Sequence, residues 1–150
     1  MKKIALVYWS GSGNTEIMAQ AIQRGIERAG QSVDVFRVDS VDAGQIKKYD
    51  AILFGCPAMG AEVLEESEFE PFFTGIEGNL KEKQIGLFGS YGWGDGEWMR
   101  DWEKRVVTAG AHLFEEGLMV NEKPEAAQEQ ICETYGGRFA KSNQEKTKTA

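Results

Sequence analysis

Apolar runs alternate with stretches of helical spacing along the whole chain. Residues 3–8 (KIALVY) read as a buried strand, apolar without a break from Ile4. Over 14–29 the residues Ile17, Met18, Ala21, Ile22, Gly25 and Ile26 recur at helical spacing, and Gly30 provides the stop. The segment 32–38 (SVDVFRV) alternates as a strand, and 51–56 (AILFGC) and 85–90 (IGLFGS) are two further buried runs. Residues 97–109 read as a helix, 112–120 (HLFEEGLMV) as a strand interrupted near Gly117, and 124–140 as a helix with Pro124 in its first turn. Shorter helical pieces are expected around 40–48 and 66–75.

Five strands separated by helices imply βαβ units, and therefore an α/β protein whose parallel sheet is covered by helices on both faces. Right-handed crossovers leave few topologies, of which the doubly wound order 2-1-3-4-5 is common for five strands. Ligands of such sheets bind beyond the carboxyl ends of the strands. Here those ends run into the loops 9–15, 57–63 and 91–96. A single domain over 1–150 is expected, with a poorly ordered tail at 141–150 (KSNQEKTKTA).

The formal net charge of -7 changes the list of partners. Nucleic acid and anionic membrane surfaces attract basic patches and repel a net anion, so neither is expected. Cys56 and Cys132 are too few and too distant for a disulfide framework or a cysteine metal motif. With His112 as the one histidine, transition-metal ligation is poorly supplied; His112 and Cys132 are assigned to structure. The apolar run IALVYW is six residues long and ends in Ser-Gly, short of a signal core or a spanning helix, which points to a cytoplasmic protein.

The loop Ser10, Gly11, Ser12, Gly13, Asn14, Thr15 stands where the first strand hands over to a helix. Glycines allow backbone N–H groups to converge, the helix start adds partial positive charge, and the hydroxyls of Ser10, Ser12 and Thr15 can donate. Neutral donors of this kind suit a phosphate. A capped turn without a ligand is the alternative for the loop taken alone. A Walker A loop is excluded because Asn14 follows Gly13, and a dinucleotide fingerprint because Glu16 stands where the third glycine belongs. A carboxylate in the first turn favours one terminal monophosphate over a pyrophosphate.

Met59 and Trp93 sit on the other two loops, with Tyr91 and Trp98 near by. Trp98 fits a helical core pattern, whereas Trp93, inside GWGDG, is kept by its glycines from packing in a regular element and is assigned to a ligand. Together, YWSGSGNTE, GCPAMGAEVLEESEFEPFF and FGSYGWGDGEWMRDWE resemble the phosphate loop and the two ring-flanking loops of short-chain flavodoxins of anaerobic bacteria, over roughly residues 1–140. The resemblance implies a flavodoxin-like fold and non-covalently bound FMN. It implies that Ser10, Gly11, Ser12, Gly13, Asn14 and Thr15 hold the ribityl phosphate and that Met59 and Trp93 flank the ring. The backbone of Ala58, Met59, Gly60, Ala61 and Glu62 and of Ser90, Tyr91, Gly92, Trp93 and Gly94 would line its edge, with the Glu62 carboxylate near ring N3. Two positions depart from the family pattern. Ser12 replaces the usual Thr, which suggests a slightly looser phosphate site, and Ala61 stands where Asp is frequent.

The same resemblance implies a low-potential one-electron carrier rather than an enzyme, in which the Gly60-Ala61 peptide turns over on reduction. In a Met59-Gly60-Ala61-Glu62 turn of type II′, Gly60 takes the position that demands positive φ. Glu62, Glu65, Glu66, Glu68 and Glu70, with Asp95 and Glu97, form an acidic set without a basic residue between 62 and 70. Glu66 and Glu70 are the members best explained as a solvated helix face. One like charge ~10 Å from an added electron costs ~1.7 kcal/mol at an effective dielectric of ~20, of order 70 mV, so the set would make the carrier reducing. It would also steer encounter with redox partners that present basic faces, such as ferredoxin-dependent oxidoreductases and flavin reductases, and a monomer is expected. The competing enzyme reading is an NAD(P)H-dependent flavin or quinone reductase of the same fold, which needs a second phosphate site that no basic cluster provides. A phosphatase of the Cys-x5-Arg type fails at Glu62, and a receiver domain lacks its acidic pair.

Overall fold

The structure, a computed structural model, describes residues 3–149, with side chains through Asn143. The elements are β1 (Ile4–Tyr8), α1 (Asn14–Arg28), β2 (Val33–Arg37), α2 (Ala43–Ile46), β3 (Ala51–Gly55), α3 (Phe69–Glu77), β4 (Gln84–Tyr91), α4 (Glu97–Thr108), β5 (His112–Leu113), β6 (Leu118–Asn121) and α5 (Ala126–Thr149). All strand pairs are parallel and the order is β2-β1-β3-β4-β5, as the alternation of runs predicts.

The central strands lack alternation because both faces are covered. Ile4, Leu6, Tyr8, Leu53 and Phe88 point into one core with Met18, Ile22 and Ile26 of α1 and Tyr135 and Phe139 of α5. Ala5, Val7, Ile52, Phe54, Ile85 and Leu87 point into the other, against Phe69 and Phe73 of α3 and Trp98, Trp102 and Val106 of α4. Each strand therefore reads as continuously apolar while its successive side chains serve two separate cores.

The fifth strand position is filled in two pieces. His112 and Leu113 pair with Gln84 and Ile85, and Leu118 to Asn121 pair with Phe88 to Tyr91. The interruption expected near Gly117 spans 114–117 instead. At its end a Cβ on Gly117 would stand 2.1 Å from Met99 Sδ, so glycine lets the chain pass close to α4, where Gly117 N donates to Glu103 Oε2 (2.6 Å). One expected strand is therefore observed as two, β5 and β6.

Pro124 lies outside α5. Gln128 Oε1 accepts from Glu125 N (3.0 Å), so the helix is tied at the residue after the proline and begins at Ala126. At its other end α5 passes 140, where the sequence pattern stops. Ser142 Oγ donates to Gln84 Oε1 (3.1 Å) and Asn143 Nδ2 to Gln31 Oε1 (3.0 Å), so polar anchors invisible to an apolar pattern hold this turn against the sheet. The rest of the expected tail falls on side chains outside the described residues.

Candidate functional site

The three unusual loops do meet at one edge. Between the carboxyl ends of β1, β3 and β4 opens a cleft of about 430 Å³, walled by Trp9, Gly11, Ser12 and Asn14, by Pro57, Ala58 and Met59, and by Ser90, Tyr91, Gly92 and Glu122. Of the expected site residues, Ser10, Gly13, Thr15, Gly60, Ala61, Glu62, Trp93 and Gly94 lie off its walls. A depression of about 480 Å³ lined by Lys3, Phe36, Gln45, Lys48, Tyr49 and Asp50 sits at the other end of the sheet, remote from these loops.

In the first loop Gly13 adopts φ 100°, the left-handed region that glycine tolerates, and so starts α1 without a side-chain cap of its own. A Cβ on Gly11 would lie 2.8 Å from the Trp9 ring, so this glycine lets the indole lie along the loop. Ser10 Oγ accepts from Gly13 N (3.1 Å) and Glu16 N (3.3 Å), and Ser12 Oγ accepts from Asn14 N (3.4 Å). N–H groups that hydrogen-bond neutral hydroxyls are bonded more strongly by an anion's oxygens. The donor set therefore suits a small oxyanion.

Thr15 does something else. It is buried, its Oγ1 lies 2.9 Å from Ser90 Oγ, and it accepts Ser90 N–H at 3.3 Å. Thr15 joins the start of α1 to β4 beneath the loop, so Ser90 reaches the cleft from a strand that is tied to the phosphate-type loop.

The second loop is pinned by Met59 and Val63, which exchange both backbone hydrogen bonds (2.8 and 3.0 Å). Gly60 has positive φ (52°), as expected, but the turn closes at Val63 rather than Glu62, making a three-residue tip of Gly60, Ala61 and Glu62. Glu62 is itself left-handed (φ 55°). That geometry turns its carboxylate across to the third loop, where Oε2 accepts from Glu97 N at 2.8 Å. Gly96, which caps α4 with φ 97°, offers no side chain, so Glu62 is the cap. A Cβ on Gly94 would stand 2.1 Å from Glu62 Oε1, so glycine there is what admits the carboxylate.

The aromatic residues divide as the sequence pattern divides them. Trp98 is buried and its Nε1 donates to Cys56 O (3.1 Å), while Tyr91 packs on it with ring centroids 5.6 Å apart. Trp93 is 66% exposed and Met59 38%, two large apolar side chains left in solvent on the loops that border the cleft.

The acidic set is less uniform than expected. Arg105 of α4 binds Glu70 through Nη1 and Nη2 (2.7 and 2.8 Å) and also holds Glu77, so Glu70 is a half-buried ion-pair partner rather than part of a solvated face. Hydrogen bonds from Arg105 keep its carboxyl below the usual range. Arg100 likewise pairs with Asp95 (2.9 Å) and lowers its pKa. Glu65 is buried; burial pushes its pKa up, but hydrogen bonds from the Ser67 hydroxyl and from Phe69, Glu68 and Ser67 N–H more than offset this and hold it down. Glu68 accepts from Trp9 Nε1 (3.0 Å). The basic partners come from α4, which no inspection of residues 62–70 can reveal.

This constellation matches known proteins along nearly all of its length. The family model described as Flavodoxin matches residues 6–135. The chain is 47% identical to a flavodoxin of Clostridium beijerinckii over 135 residues, which is 90% of this chain and 97% of that one. The chain belongs to the flavodoxin family. It is also 46% identical to a flavodoxin of Megasphaera elsdenii over 139 residues, 93% of this chain and 99% of that one. The solution structure of two-electron reduced Megasphaera elsdenii flavodoxin superposes with a TM-score of 0.84 at 46% identity, covering 92% of this chain and 98% of that chain.

A flavodoxin cofactor suits the cleft on this structure's own terms. Neutral N–H and O–H donors gather at the start of α1, and Trp9, Pro57, Ala58, Met59 and Tyr91 provide apolar walls beside them. Among the described residues no group of three or more His, Cys, Asp or Glu side chains could hold a metal ion. Trp9, Pro57 and Glu122 also wall the cleft, beyond the residues expected from the sequence. Trp9 was visible as the last large residue before the first glycine. Glu122 was not, because it reaches the cleft only through the pairing of β6 with β4, where its N–H donates to Tyr91 O (2.7 Å).

Proposed function

We propose that the chain is a low-potential one-electron carrier that holds FMN non-covalently as one domain over 1–150. The observation that carries this reading is the convergence of all three flavodoxin motifs on one cleft at the carboxyl edge of the sheet. FMN supplies the redox chemistry; the protein binds it, orients it and sets the charge around it. Ser10, Gly11, Ser12, Gly13, Asn14 and Thr15 form the loop that takes the phosphate, Thr15 by holding Ser90 in place. Met59 and Trp93 are the exposed apolar pair for the ring, and Ala58 to Glu62 and Ser90 to Gly94 supply its polar edge.

No helix among the described residues is long and apolar enough to cross a membrane. With the net charge of -7, a monomer in the cytoplasm that docks on basic faces of ferredoxin-dependent oxidoreductases and flavin reductases is the reading these features support. Purified protein should be yellow, and FMN added to stripped protein should restore the flavin absorption with its fluorescence quenched. Stepwise reduction should then resolve two potentials. A colourless protein that leaves FMN fluorescence unchanged contradicts the proposal, and steady NAD(P)H oxidation by the purified holoprotein alone replaces it with the reductase reading.

A further inference from the structure

The loop from Ser10 to Thr15 contains no cation, yet the fold brings one to it. Parallel pairing sets Arg37, the last residue of β2, level with Tyr8, the last residue of β1. Its guanidinium lies over the Tyr8 ring, 5.6 Å from the centroid. Nη1 donates to Glu16 Oε1 (3.1 Å) and Nη2 reaches the Ser10 carbonyl (3.5 Å), while Nε lies 3.7 Å from Asp39 Oδ1. Tyr8 OH donates to the same Glu16 oxygen (3.2 Å).

Glu16 is the awkward member of this group. It stands in the first turn of α1, and its N–H is one of the two that Ser10 Oγ accepts. A carboxylate there suits the helix dipole in the absence of a ligand but repels a dianion arriving at the same helix end. Two negative groups then compete for one partial positive charge.

We propose that Arg37 is the charge-compensating residue of the phosphate loop: shared between Glu16 and Asp39, it offsets part of the Glu16 charge from the adjacent strand, so that a phosphate dianion meets a less negative helix start. This rests on the placement of the FMN phosphate on Ser10 to Thr15. Arg37 acts through Glu16 and the Ser10 carbonyl and needs no contact with the ring. Its influence is therefore confined to the phosphate half of the ligand.

Riboflavin, which has the ring and ribityl chain but no phosphate, separates this role from a structural one. Binding of FMN and of riboflavin to the stripped protein is measured by fluorescence quenching for the parent, Arg37→Gln, Glu16→Gln and the double variant. Arg37→Gln should weaken FMN about tenfold and leave riboflavin unchanged. Glu16→Gln should tighten FMN, also without effect on riboflavin, and the double variant should return FMN affinity close to the parent's. Arg37→Lys should keep most of the FMN affinity, and added salt should shrink the difference between Arg37→Gln and the parent. Equal loss of FMN and riboflavin in Arg37→Gln marks a structural effect and overturns the proposal, as does unchanged FMN affinity. If Arg37→Gln fails to fold, the Glu16→Gln arm decides: FMN binding no tighter than the parent's overturns it. Failure of the parent to bind FMN more tightly than riboflavin removes the phosphate placement itself, a different result from any of these.

Discussion

Glu62, on the tip of the loop after β3, caps α4 by accepting the Glu97 N–H at 2.8 Å. One hydrogen bond thus ties together the two loops that carry Met59 and Trp93. It also fixes their spacing from the protein side, since Gly94 must lack a Cβ for the carboxylate to pass. Loss of such a cap costs about 0.5–2 kcal/mol. Glu62→Ala should lower the urea midpoint accordingly, while Glu62→Gln, which keeps an acceptor, should lose less; equal losses in the two variants would show that the bond does not stabilise the fold.

Thr15 and Ser90 make the corresponding tie beneath the cleft. Thr15→Val keeps the shape and leaves Ser90 N–H and Oγ without the partner they share, at a cost of about 1–3 kcal/mol for a buried group left unsatisfied. Thr15→Ser keeps the hydroxyl and should remain close to the parent. Equilibrium unfolding of the two variants side by side checks this. FMN affinity should fall with Thr15→Val as well, because Ser90 lines the cleft.

Adjacent glycines in α5 should respond with opposite sign. At Gly136 a Cβ would stand 2.3 Å from the carbonyl oxygen of Ile22 in α1, a backbone atom that cannot step aside. Overpacking of this kind costs about 1–3 kcal/mol. At Gly137 the nearest atom is 3.7 Å away, so alanine is accommodated and gains up to about 1 kcal/mol in helix propensity. Thermal melts of Gly136→Ala and Gly137→Ala should bracket the parent. Two shifts in the same direction would mean that α1 and α5 pack less closely than described.

Glu65 gives the fold a pH dependence. Its net pKa in the folded chain lies below the ordinary carboxylate value, because its hydrogen bonds outweigh the opposing effect of burial. The stability it contributes is therefore complete above the unfolded value of about 4.3 and is lost as pH falls through the folded value. The stability gap between the parent and Glu65→Gln should be widest near neutrality and close progressively on acidification below about pH 4. A gap independent of pH would assign the loss to packing.

How much of this was legible beforehand depends on the range of the interaction. Ser10 to Thr15 announced a helix start with neutral donors because backbone convergence and capping are decided within a few residues. Met59 and Trp93 stood out because glycines on either side kept them from a regular element. The Glu70 to Arg105 pair, 35 positions apart, could not be read, and it changed Glu70 from a solvated acid into a structural one. The Glu62 cap could not be read for a similar reason: its target at Glu97 exists only after two loops meet. The close approach of Met99 to Gly117, beside the split of the fifth strand, is again a contact between distant segments.

By itself the sequence determined the class of fold, the strand order and the edge at which the loops gather, since apolar periodicity and chain connectivity act locally and crossovers have one hand. Tertiary structure alone decided how the charges cancel. Arg37 reaches Glu16 and Arg105 reaches Glu70 through strand pairing and helix packing, and a Coulomb interaction depends on separation in space, which spacing along the chain does not encode.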